Sequence, residues 1–189
     1  MKASVKWQFV LGAALTCLSL AAMAQSNMDQ QDRPANVTST DKKFMRDAAQ
    51  GGLAEVELGQ LATEKASSDD VKKFGQRMVD DHTKANDELK QVASKEGIDL
   101  PTDLNAKDKM LKERLSKLSG ATFDRAYMES MVKDHKQDVA DFIRESKSGG
   151  DPQVKAFASK TLPILKDHLH QAERIEPQVK MSASNAGSQ

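Results

Sequence analysis

Three histidines recur in the same local pattern. Met78-Val79-Asp80-Asp81-His82, Met131-Val132-Lys133-Asp134-His135 and Ile164-Leu165-Lys166-Asp167-His168 each read apolar, apolar, charged, Asp, His. Imidazole is the side chain that changes charge near neutral pH, and when neutral it is the commonest ligand for transition metals. One carboxylate, Glu57, belongs with the three by position. Three imidazoles and a carboxylate that met on facing elements would suit one transition metal ion of the Zn, Fe, Mn, Cu or Ni type.

Whether they meet depends on helical phase. Val71, Phe74, Met78, Ala85, Leu89 and Val92 recur in steps of three or four, and His82 completes that series. His135 stands four residues from both Met131 and Val139, and His168 fills the gap between Leu165 and Ala172. The period places all three on apolar faces. His170 lies about 200° away from His168 and reads as solvated. On the first helical pattern the apolar arc runs through Leu53, Ala54, Leu58 and Leu61. Glu57 falls inside that arc, and Glu55 projects to the far side with Ala48, Gly59 and Ala62. An inward charged glutamate is costly unless paired or metal-bound. Asp138, three after His135, is a candidate ligand or supporting partner, and Glu55 a candidate supporting group. Asp81, Asp134 and Asp167 lie about 100° from the histidines and read as solvated or at helix seams. Met78 and Met131 read as core filler rather than as thioether ligands.

The elements that must position these residues are helices. Aromatic residues are 4% of the chain and charged residues 30%, so a core must be built from narrow stripes. The pattern predicts long helices over 41–66, 67–97, 121–147 and 152–176, with a shorter one over 103–118. Gly97 and Gly149-Gly150 are natural stops, and Asp151-Pro152 is a natural start. Two joints are tight and force antiparallel hairpins. The connection between the second and third long helices carries its own helix and permits a crossover, as in ferritin-like bundles. Gly51, Gly52 and Gly59 predict close approach of another helix. Pro163 predicts a kink one turn before His168.

The ends read differently. Lys2 and Lys6 precede an apolar run from Phe9 to Ala22, and Ala22-Met23-Ala24 supplies small residues for cleavage before Gln25. Residues 1–24 therefore read as a signal peptide, too short for a comfortable membrane span. Cys17 is the one cysteine and leaves with it. Export then leaves 26 basic against 28 acidic residues and no thiol, which suits an oxidising compartment. Residues 25–40 read as a flexible linker, 41–176 as the bundle domain, and 177–189 as a disordered tail. Mixed charge without a basic block argues against nucleic acid as a partner.

The stretch Gly51-Gly52-Leu53-Ala54-Glu55-Val56-Glu57-Leu58-Gly59 is followed by Met78-Val79-Asp80-Asp81-His82-Thr83. Phe123-Asp124-Arg125-Ala126-Tyr127, His135, and Thr161-Leu162-Pro163 before His168-Leu169 come next. In order and spacing this set resembles the bacterial domain of unknown function 4142 family, often labelled "predicted outer membrane protein". The resemblance implies a ferritin-like four-helix fold and no established activity. It matches Glu55, Glu57, His82, His135 and His168 to the family's recurrent polar positions. The chain carries no alternating ten-residue strands of the barrel type, so a periplasmic or secreted protein is expected. It also departs from ferritin-type di-iron sites, which place a Glu three residues before a helical His. Val79, Val132 and Leu165 stand there instead.

The expected protein is all-α: an exported ferritin-like four-helix bundle with a short extra helix in its long connection. Its core His/Glu site is expected to bind one transition metal ion. The alternative is a non-catalytic envelope stress or interaction module whose buried polar layer holds no metal. A redox enzyme would need an open coordination position, of which the sequence gives no sign. Nucleophile–base motifs, phosphate loops and dinucleotide fingerprints are absent from the sequence.

Overall fold

The structure is a computed structural model and describes residues 37–186. The expected signal peptide and nearly all of the expected linker lie outside the described residues. Among the described residues five helices follow in order: α1 (Ser39–Lys65), α2 (Asp69–Lys95), α3 (Ala106–Ser116), α4 (Gly120–Ser148) and α5 (Pro152–Ala186). No strand is found among the described residues.

The starts of these helices are capped by short polar side chains. Thr38 and Asp41 form a reciprocal capping box on α1, and Asn105 caps α3. Asp41 also accepts from the backbone N–H groups of Gly150 at 2.9 Å and Asp151 at 3.1 Å. One carboxylate thereby ties the start of α1 to the α4–α5 joint. Asp151 in turn caps α5 through the N–H groups of Gln153 and Val154. The serines before α2 make no side-chain cap. Asp124 of α4 supplies it, accepting from Ser67 N and Ser68 N at 3.0 and 2.9 Å and from the Ser67 hydroxyl.

The helices pack as two hairpins, α1–α2 and α4–α5, with α2 against α5 and α1 against α4. Direction follows from which residues share a cluster. Phe44 near the start of α1 packs with Val92 at the end of α2, Phe142 at the end of α4 and Val154 at the start of α5. At the opposite end Leu61, Val71, Phe123 and Ile175 pack together. So α2 and α4 run parallel, and the chain between them returns along the bundle with α3 laid against α1 and α4. This is the single crossover of a ferritin-like bundle.

Glycines bring α1 and α2 together. A Cβ on Gly59 would lie 2.6 Å from the Gly75 carbonyl oxygen, and a Cβ on Gly75 2.7 Å from Ala62 Cβ. A Cβ on Gly52 would meet only the movable end of the Asn86 side chain, and Gly51 faces open space.

The last helix outruns its expected end. Pro163 and Pro177 both lie inside α5, which continues to Ala186. Both prolines are exposed, so each gives up its backbone bond on the wet side. Ile175 and Val179 carry the apolar stripe past Pro177 into the same cluster as Phe123 and Tyr127. Burial of that stripe outweighs the missing donor, and 177–186 is helix rather than tail.

Candidate metal centre

The two apolar clusters are separated by a polar layer midway along the bundle. His82 of α2, His135 of α4 and His168 of α5 meet there, each offering a ring nitrogen within 4.8 Å of the others. Ring centroids are 5.8 Å apart for His82–His135 and 5.4 Å for each pair that includes His168. His135 and His168 are 0% exposed and His82 is 7% exposed. Phe74 packs edge-on to both His135 and His168. His170 is exposed, as its phase predicts.

Proton counting exposes the layer's chemistry. His135 Nδ1 lies 3.0 Å from the Met131 carbonyl oxygen, which can only accept. His168 Nε2 lies 3.0 Å from Asp81 Oδ2. His135 Nε2 and His168 Nδ1 face each other at 3.4 Å. Each of these three contacts needs one hydrogen, and two neutral rings carry two. If His135 Nδ1–H donates to Met131 and His168 Nε2–H to Asp81, two lone pairs are left facing each other. His82 Nε2, also buried, has no hydrogen-bond partner among the described residues.

A third proton is disfavoured. Burial and the charge of His168 push His135 down to about 3. Burial and the two neighbouring rings hold His82 well below the ordinary imidazole value. Burial also lowers His168, against the opposing pull of Asp81. The rings are therefore held neutral, the form in which imidazole binds metal. Burial alone would raise Asp81, but its bonds from His168 and Arg77 hold it below the usual carboxylate value. Arg77 reaches Asp81 at 3.2 Å, Asp167 at 2.7 Å and Gln171 at 3.0 Å. A carboxylate that orients a histidine from behind, itself held by an arginine, is the usual outer support of a ligating imidazole.

The carboxylate partner is not the expected one. Glu57 is turned to the α1–α3 seam, where it pairs with Lys112 at 2.7 Å. Glu55 occupies the interior instead, 3% exposed, with Oε1 3.6 Å from His135 Nδ1 and Oε2 unpartnered among the described residues. The reason is the breadth of the buried arc on α1. Its buried positions include Met45, Gly52, Glu55, Gly59 and Ala62, and the small residues Gly52, Gly59 and Ala62 are where α2 comes close. Leu53, part of the expected apolar arc, is half-buried.

Glu55, His135 and Asp138 form a second group with ligand-type atoms within 4.8 Å of one another. Burial and the nearby Asp138, Asp134 and Asp108 carboxylates push Glu55 well above its ordinary value. Burial and neighbouring Asp134 and Asp141 push Asp138 to about 7. Tyr127 stacks on Phe123, and its hydroxyl is buried without a partner among the described residues.

The partners of three aspartates were not legible in the sequence. Asp81 serves not its neighbour His82 but His168, across the α2–α5 interface. Asp167 pairs with Arg77, and Asp134 is 3.8 Å from Lys107. The repeated Asp-His pattern thus carries three different Asp roles. Sequence spacing carries no signal for any of these, because each partner comes from another helix.

A solved structure with the same fold is described as "Crystal structure of DUF305 fragment from Deinococcus radiodurans". It is 14% identical, with a TM-score of 0.67, covering 77% of this chain and 99% of that one. At that identity the likeness shows the fold alone. No curated protein matches the sequence significantly. The family described as "Domain of unknown function (DUF4142)" matches residues 26–175, most of the bundle, and the chain belongs to that family.

Proposed function

We propose that this protein binds one transition metal ion in its core, with His82, His135 and His168 as ligands, and that it does so in the bacterial envelope. The observation that carries the reading is the proton count at His135 and His168. Three contacts compete for two hydrogens, and a cation placed between the ring nitrogens removes the conflict without a buried imidazolium. His82 Nε2 supplies a third donor with no other partner among the described residues. Three neutral imidazoles suit Zn2+, Cu2+ or Ni2+. A void of about 20 Å³ beside His82 has room for about one water-sized atom next to that ring.

Export rests on the charged, apolar and small-residue order of residues 1–24. No helix among the described residues is long and apolar enough to cross a membrane. The role that follows is holding or buffering a metal rather than turnover.

Metal analysis tests this. Protein purified without chelator and offered Zn2+, Cu2+ or Ni2+ is expected to retain one equivalent after gel filtration. His82→Ala and His168→Ala are each expected to lose it while keeping the helical circular-dichroism signal. Wild-type protein that retains none of these ions would overturn the reading.

A further inference from the structure

A cleft of about 250 Å³ opens between α1, α4 and the start of α3. Asp47, Glu55, Asp108, Asp134, Asp138 and Asp141 line it, and Lys107 is its one basic side chain among the described residues. Acidic clusters on solvated surfaces are common and need no ligand. This one reaches the interior. Glu55 lines it while only 3% exposed, and its Oε2 has no hydrogen-bond partner among the described residues. A buried carboxylate oxygen without a donor is expensive, the more so beside other carboxylates. Asp138 borders both this cleft and the small void beside His82. A ring nitrogen of His135 completes a set of three ligand-type atoms within 4.8 Å.

We propose that Glu55 and Asp138 form a second cation site at the inner end of this cleft, for a divalent ion that prefers oxygen ligands. Carboxylates with water suit Mg2+, Ca2+ and Mn2+. The surrounding aspartates raise the local cation concentration and draw the ion inward. The site goes beyond the three-histidine reading: His135 Nε2 serves that site and its Nδ1–H is held by the Met131 carbonyl, so the two share no ligand and are separable.

Mn2+ titration followed by loss of the free aqua-ion EPR signal tests it. One bound equivalent is expected in the wild type and in the His82→Ala/His168→Ala double variant alike. Glu55→Gln and Asp138→Asn, which remove charge but keep shape, are each expected to weaken Mn2+ binding by about tenfold or more, since charge count sets affinity at oxygen sites. Asp138→Asn is expected to keep its Zn2+ equivalent. If Glu55→Gln fails to fold, Asp138→Asn alone decides. The proposal is overturned if wild type binds no Mn2+, if both carboxylate variants bind it as wild type does, or if the double histidine variant loses it.

Discussion

His168 Nε2 lies 3.0 Å from Asp81 Oδ2, a bond that crosses from α5 to α2 and fixes which nitrogen of His168 faces the other rings. With Nε2–H committed to Asp81, Nδ1 turns its lone pair toward His135. Asp81 is itself held by Arg77, which also grips Asp167 on α5. The α2–α5 interface and the ring orientation are thus one construction.

Asp81→Asn should weaken metal binding without unfolding the protein. The amide keeps the shape but loses the charge that stabilises a ligated imidazole. Loss of such outer support typically costs about 10–100-fold in affinity. Competitive Zn2+ titration against a chelating dye measures it. An affinity within about twofold of wild type would show that His168 is oriented by packing alone.

Glu57→Gln should do little. The residue joins Lys112 on a partly exposed seam, and such pairs contribute about 1 kcal/mol or less. Urea unfolding should register that small loss, and bound metal should stay at one equivalent. A loss of metal would return Glu57 to the site that the geometry gives to Glu55.

The contrast between these two glutamates marks how far sequence reasoning reaches here. The three inward histidines, the outward His170, both hairpins and the crossover were legible, because each follows from a 3.6-residue period or a loop length. Glu55 was not. An apolar-stripe reading takes leucines as the centre of the buried face. On α1 that centre is lined by Gly52, Gly59 and Ala62, which bury backbone rather than side chain. Pro177 misled for a related reason: a local rule for ending helices was outweighed by burial of Val179. The α2 cap by Asp124 and the Asp81–His168 bond involve partners 56 and 87 residues apart in sequence, beyond any local pattern.

Gly75→Ala should destabilise the bundle even though alanine is the better helix former. The added methyl would sit 2.7 Å from Ala62 Cβ and 2.8 Å from the Gly59 carbonyl oxygen, so α1 and α2 must move apart. Overpacking of this kind costs about 1–3 kcal/mol, against a propensity gain of up to about 1 kcal/mol. Thermal unfolding of apo protein measures the net loss. Because Glu55 and His82 sit on these two helices, metal affinity should fall in the same variant. A Gly75→Ala protein as stable as wild type would mean that the helices separate at no cost.

Glu145→Gln should stabilise the protein at alkaline pH and leave it unchanged in acid. Glu145 is buried beside Asp41, where α1 begins and α4 ends. Burial, together with the hydrogen-bonded and charged Asp41, pushes it to about 7. Asp41 stays ionised: burial would raise it, but the backbone N–H groups of Thr38 and Gly150 hold it below its ordinary value. Glu145 then keeps the proton and donates it to Asp41. Its value in the unfolded chain is near 4.5, so the folded state holds the proton more tightly. The linkage sign follows: ionising Glu145 costs stability in full above about pH 7, and the cost disappears as pH falls toward 4.5. Glutamine mimics the protonated form at every pH. Urea unfolding at pH 8 should therefore show the variant more stable than wild type, and at pH 4.5 the two should coincide. Equal stabilities at pH 8 would mean that Glu145 ionises in the fold at no cost, and that the Asp41 carboxylate does not share its proton.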